Sequence, residues 1–138
     1  MIVVDTNVVA YLLIDGDHTP AARRTLGRDP AWAAPLLWRS EFRNVLGVYL
    51  RKGVLALKDA VALQTAAEAV FRGREHAVAS RDVLALANDS GRSAYDCEFI
   101  AVARQLSVAL VTSDRQLLRS FPQYAVDVET FGASATDV

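Results

Sequence analysis

Apolar positions along the chain fall into short continuous runs separated by stretches of helical spacing. That alternation predicts strand followed by helix almost from end to end. Ile2, Val3 and Val4 form a β-branched run that stops at Asp5, as a buried strand does, and Val8, Val9, Tyr11, Leu12 and Leu13 continue as a short helix. Thr19 as N-cap, Pro20 in the first turn and Gly27 past the end mark a second helix. Pro30 and Pro35 bracket Trp32-Ala33-Ala34, whose type the pattern leaves open. Between Leu37 and Lys52 one helical stripe carries Trp38, Phe42, Val45, Leu46, Tyr49 and Leu50; Gly53 closes it and Glu41 flanks it. An Ala-rich helix follows from Leu57 or Lys58 to Phe71, and His76 to Ala79 reads as a weak strand. Ser80 and Ser93 each cap a further helix, the second with Tyr95, Phe99, Val102 and Leu106 on one face. Val108 to Val111 is a clear strand, a short helix passes through Leu117 and Leu118, and Tyr124 to Val128 is a last strand.

Strands that are apolar throughout, each separated from the next by helices, predict an α/β fold with a parallel sheet covered on both faces. The pattern supplies about four or five strands and about seven helices in one domain over residues 1–131, with a short loose tail at 132–138. At 138 residues, 52% hydrophobic and 22% charged, the composition excludes disorder and collagen-like repeats. The lone Cys97 has no partner for a disulfide or a structural zinc, which fits a reducing compartment. Asp5 interrupts the apolar N-terminus, no cleavage signal follows, and no apolar run reaches the ~18 residues of a membrane span, so a cytoplasmic protein without membrane attachment is expected.

In open parallel sheets, ligands sit beyond the carboxyl ends of the strands, so acids placed there carry weight. Asp5 ends the first strand and Asp114 follows the strong later one, each before a helix whose N-terminal dipole favours an anion. Asp96 shares a helix face with Phe99, Ile100 and Ala103, and Glu41 lies against an apolar stripe. An unpaired carboxylate in such places costs several kcal/mol, and a divalent cation would relieve the mutual repulsion of four of them. Oxygen donors suit magnesium or manganese, not zinc. Each acid also has an ordinary reading: Asp5 and Asp114 as helix caps, Asp96 as the acidic partner of Ser93 in a capping box, Glu41 as the ion-pair partner of Arg39 or Arg43.

Four motifs in this order, Val3-Val4-Asp5-Thr6-Asn7, Ser40-Glu41, Tyr95-Asp96-Cys97 and Leu110-Val111-Thr112-Ser113-Asp114, make the chain resemble the PIN-domain family. Within that family it looks like the VapC-type toxins of toxin–antitoxin pairs. The resemblance implies that Asp5, Glu41, Asp96 and Asp114 form an acidic site binding Mg2+, with Mn2+ as the substitute. Thr6, Asn7, Thr112 and Ser113 would support it, Thr112 by orienting Asp5. Glu98, two residues and about 200° around the helix from Asp96, should face away and stays outside the main four. The resemblance further implies a metal-dependent endoribonuclease that cuts tRNA, rRNA or mRNA, a homodimer, and inhibition by a small cognate antitoxin of the VapB type. The competing reading is a non-catalytic subunit of the same fold that binds DNA with its antitoxin as a repressor. A phosphatase of the haloacid-dehalogenase type would need a second Asp where Asn7 stands.

The charge balance, 15 Lys and Arg against 16 Asp and Glu, gives a formal −1 and at face value no pull toward nucleic acid. Gathering four acids into one metal-filled pocket changes that, leaving a mildly basic remainder. Between Thr19 and Arg81 stand 11 basic residues against five acids, a stretch able to follow an RNA backbone or simply to form solvated helix faces. Trp32 and Trp38 are candidates for base stacking, although Trp38 lies in the core stripe. His18 and His76 lack any triad or metal spacing, and Cys97 on an apolar helix reads as an inert core residue.

Overall fold

The computed structural model describes residues 1–133. Along the chain run β1 (Ile2–Val4), α1 (Thr6–Leu13), α2 (Thr19–Arg28), β2 (Trp32–Pro35), α3 (Leu37–Arg51), α4 (Leu57–Val70) and β3 (Glu75–His76). They continue as α5 (Ser80–Ser90), α6 (Ala94–Leu106), β4 (Leu110–Thr112), α7 (Arg115–Ser120), β5 (Ala125–Asp127) and α8 (Val128–Ala133). The five strands form one sheet in the order β3-β2-β1-β4-β5, and every neighbouring pair is parallel. The expected α/β architecture is therefore present, with eight helices among the described residues.

β1 sits at the centre because all three of its side chains are fully apolar, and all three are buried. The chain leaves β1 toward β2 on one side and later returns to β4 on the other, so the order of strands reverses there. Such a reversal opens a crevice at the carboxyl edge of the sheet. Beneath it Val3, Val4, Leu110 and Val111 pack with Trp32, Trp38, Phe42 and Ile100 into one core. α6 runs back across β1, β2 and β4, which brings its first turn to the same carboxyl edge.

Local differences from the sequence reading have identifiable causes. The undecided Trp32 segment is strand β2, wholly buried between β1 and β3. The third strand is Glu75–His76 rather than His76 to Ala79, since pairing with Ala34 and Pro35 fixes its register. Ser93 caps α6 by accepting from the Asp96 N–H, whereas Ser80 is the first helical residue of α5 and caps nothing. Thr19 likewise lies inside α2; its hydroxyl donates to the Tyr11 carbonyl at 2.6 Å and accepts from the Gly16 N–H at 3.0 Å, tying α1 to α2. The last strand stops at Asp127 and Val128 begins α8, a helix too short for its periodicity to register. Gly132 and Ala133, read as the start of the tail, belong to α8; positions 134–138 lie outside the described residues.

α8 lies against α2, and a Cβ at Gly132 would stand 2.9 Å from the Ala21 carbonyl oxygen. Gly132→Ala gains about 1 kcal/mol of helix propensity but forces two backbones apart, an overpacking cost of about 1–3 kcal/mol. Urea unfolding should register a net loss of stability, in contrast to the gain that Gly→Ala brings in an uncrowded helix.

Candidate active site

Asp5 leaves β1 at its carboxyl end and is only 7% exposed. It caps α1 by accepting from the Val8 N–H at 3.3 Å, and its other oxygen accepts from the Thr112 hydroxyl on the adjacent strand. Thr112 in turn accepts from the Asp114 N–H at 3.0 Å, so one hydroxyl joins the ends of β1 and β4. Asp114 caps α7, its Oδ1 accepting from the N–H groups of Gln116 at 2.8 Å and Leu117 at 3.1 Å. The capping interpretation and the functional one are therefore compatible: the cap fixes the carboxylate at the sheet edge.

Glu41 lies one turn into α3, where the Thr6 hydroxyl donates to its Oε1 at 2.6 Å. It does not pair with Arg39, which is held by Glu75 at 2.6 Å and by Glu68 at 3.1 Å. Asp96 occupies the first turn of α6, half-buried. Asp5, Glu41, Asp96 and Asp114 all line one cleft of ≈ 630 Å³, together with Thr6 and Asn7. Ser113 is turned aside, sharing a 2.8 Å hydrogen bond with the Tyr11 hydroxyl, while Thr112 stands behind Asp5. Asn44 also lines the cleft. Its position three residues after Glu41 puts it on the same helical face, a signal available from spacing.

The electrostatics are those of crowded like charges. Burial raises the Asp5 pKa to about 6, against the donors Thr112 and Val8, and Asp114 and Glu41 push it in the same upward direction. Burial likewise raises Glu41, countered by Thr6 and reinforced by Asp96 and Glu98. Asp96 is raised by burial and then by Asp114. No Lys or Arg is among the described residues lining the cleft. Glu98 does not line it, yet lies close enough to Glu41 to repel its charge. The angle around α6 turns Glu98 away from Asp96 but not from Glu41, which comes from α3.

An all-oxygen set of mutually repelling carboxylates fits a hard divalent cation in its chemistry. The side chains do not stand as a finished cage: among the described residues, no group of three or more His, Cys, Asp or Glu is placed to hold a metal ion. Both Asp5 oxygens, Glu41 Oε1 and Asp114 Oδ1 are engaged by protein donors, which hold the carboxylates on their own walls.

Other expected features are placed differently. Trp32 and Trp38 are both completely buried, so neither offers a face for base stacking. Of the basic stretch, Arg23 and Arg24 make ion pairs, Arg39 bridges two acids, Arg28 lies over the Phe131 ring and Arg74 donates to backbone carbonyls. Cys97 is fully buried and its thiol pKa is pushed up by burial.

The family model of the PIN domain matches residues 2–122, nearly the whole of the described fold. The chain belongs to the PIN-domain family. Among curated proteins it is similar to Ribonuclease VapC3 of Pyrobaculum aerophilum, 27% identical over 124 residues that cover 88% of this chain and 95% of that protein. Among solved structures it is similar to the crystal structure of PAE2754 from Pyrobaculum aerophilum, with a TM-score of 0.74 and 25% identity over 99% of this chain and 97% of that one. No helix among the described residues is long and apolar enough to cross a membrane.

The raised Asp5 pKa has a consequence for stability. In the unfolded chain Asp5 releases its proton near the ordinary carboxyl value of about 4, while in the folded protein it holds the proton to about 6. Metal-free protein should therefore be most stable below about pH 4 with respect to this group and lose stability as pH rises through about 6. Asp5→Asn should flatten part of that decline and gain about 1–3 kcal/mol at pH 7 without metal. Millimolar Mg2+ or Mn2+ should stabilise the wild type, but not the variant, in thermal melts above about pH 6, and the effect should fade at lower pH as Asp5 takes up its proton.

Proposed function

We propose that this chain is a divalent-metal-dependent endoribonuclease, the toxin of a type II toxin–antitoxin pair. The observation that carries the reading is the gathering of Asp5, Glu41, Asp96 and Asp114 from four elements around one cleft, where burial raises the pKa values of Asp5, Glu41 and Asp96. The PIN-domain match and the similarity to a protein named as a ribonuclease supply the chemistry such a cleft performs. The substrate class is RNA in the form of tRNA, rRNA or mRNA. The inhibiting partner is a small antitoxin of the VapB type, and the working state is a cytoplasmic homodimer.

Asp5, Asp96, Asp114 and Glu41 would hold Mg2+ or Mn2+. When bound, the ion supplies positive charge at the phosphodiester oxygens and makes water a stronger acid. The protein's own contributions are positional. Thr112 and the Val8 N–H fix Asp5, and the α7 amides fix Asp114, so neither carboxylate has to be ordered when substrate arrives. Thr6 holds Glu41 by Oε1, so this carboxylate too is fixed before substrate arrives. Asn7 and Asn44 offer neutral amide donors to phosphate or ribose oxygens inside a cleft lined by no Lys or Arg among the described residues. In-line attack of water forms the new P–O bond as the P–O3′ bond breaks, and the departing 3′ oxygen takes a proton from solvent, so the products carry a 5′-phosphate and a 3′-hydroxyl.

Antitoxin-free protein incubated with total RNA and Mg2+ or Mn2+ should release 5′-phosphorylated fragments. Asp5→Asn and Asp96→Asn should each slow cleavage by roughly 100-fold or more. Equal cleavage by wild type and variants, or none with either metal, would overturn the nuclease assignment. Retained binding to antitoxin and operator DNA without cleavage would favour a repressor subunit.

A further inference from the structure

Beside the acidic cleft lies a second hollow of ≈ 360 Å³, and the two share Asn7 and Val45. Its lining has a different chemistry, with the aromatic rings of Tyr11, His18 and Tyr49. The Tyr11 and His18 rings have centroids 4.5 Å apart and are inclined by 31°. Contacts on other atoms secure both residues. The Tyr11 hydroxyl is hydrogen-bonded to Ser113, the neighbour of Asp114, its carbonyl accepts from Thr19, and His18 Nδ1 meets Glu129 Oε1 at 3.2 Å. Aromatic faces already held in place lose little freedom when a planar ring stacks on them. Two exposed carboxylates, Asp15 and Asp17, also line the hollow; Asp15 stands 3.6 Å from the Arg23 guanidinium, which leaves Asp17 as the carboxylate without a cation partner among the described residues.

We infer that this hollow is a stacking subsite for an unpaired RNA base whose neighbouring phosphate lies in the acidic cleft. The inference rests on the nuclease reading for its substrate class and adds to it where the flanking nucleotide goes. Every base has a face that stacks on tyrosine, and single-stranded RNA is characteristically read by stacking and by contacts to base edges. Asp17 gives the hollow a preference, because a carboxylate accepts from base N–H groups. Guanine presents two adjacent donors, N1–H and N2–H, to its two oxygens. Uracil presents a single N–H between two carbonyls that the carboxylate repels. The order of preference is therefore guanine first and uracil last.

The test uses the full chain in Mg2+ buffer, titrated separately with guanosine, cytidine and uridine 5′-monophosphates and followed by NMR. Guanosine monophosphate should shift the ring signals of Tyr11, His18 and Tyr49 most, and uridine monophosphate least. Tyr49→Ala should weaken guanosine monophosphate binding by roughly five- to 100-fold, Tyr49→Phe should restore it, and Asp17→Asn should reduce the difference between the nucleotides. Shifts confined to the acidic cleft, or no shifts at millimolar nucleotide, would overturn the subsite. Cleavage of RNA at unchanged positions and rates by folded Tyr49→Ala would overturn it while leaving the nuclease reading intact. Ring shifts in a protein that cuts no RNA would support base binding here and sink the nuclease reading alone.

Discussion

A carboxylate almost wholly withdrawn from water at the end of a central strand must be met by donors, or it will not stay ionisable. In this fold the donors are the Thr112 hydroxyl, placed by strand pairing, and the Val8 N–H, placed by the start of α1. The parallel register of Val3 with Leu110 and Val4 with Val111 sets Asp5 beside Thr112. The turn into α1 sets Val8 over the same carboxylate. A slip of one residue between β1 and β4 would turn Thr112 to the other face of the sheet and leave Asp5 without its strongest partner.

From that fixed point the remaining acids arrive by ordinary means. Asp114 is presented two residues past Thr112 by the cap of α7, and Asp96 by the first turn of α6. Glu41 comes from α3, which follows the strand on the other side of β1 and is tied back to α1 through Thr6. Each placement satisfies a local structural need, and their sum is a concentration of negative charge that no local need requires. Capping and hydrogen bonding stabilise each acid singly, while burial and repulsion raise the pKa values of Asp5, Glu41 and Asp96.

The sequence made the architecture legible because the buried strands are uninterrupted apolar runs and the long helices carry clear stripes. Ile2–Val4 and the α3 stripe are of this kind. It was less informative where structure depends on distant partners. The strand character of Trp32–Pro35 comes from pairing on both sides, and the extent of β3 from two residues of β2. Thr19 carries the chemistry of a cap but uses its hydroxyl to clasp the preceding segment. Asp5, Asp96 and Asp114 stood out because strand ends and helix starts are readable, and Glu41 because it flanks an apolar stripe, but joining them into one site took the family resemblance; all four line one cleft. The proximity of Glu98 to Glu41 was hidden, since it depends on how α3 lies relative to α6.

The lengths of the outer strands bear on how copies of this domain can meet. β3 has two residues, and β5 has three and is packed by α7 and α8. An edge strand recruits another chain when it offers a long, open row of backbone groups. Neither margin of this sheet does so. The sheet is thereby kept from growing strand by strand into a neighbour, and any association between folded copies would fall to the helical surfaces, where side chains rather than backbone choose the partner.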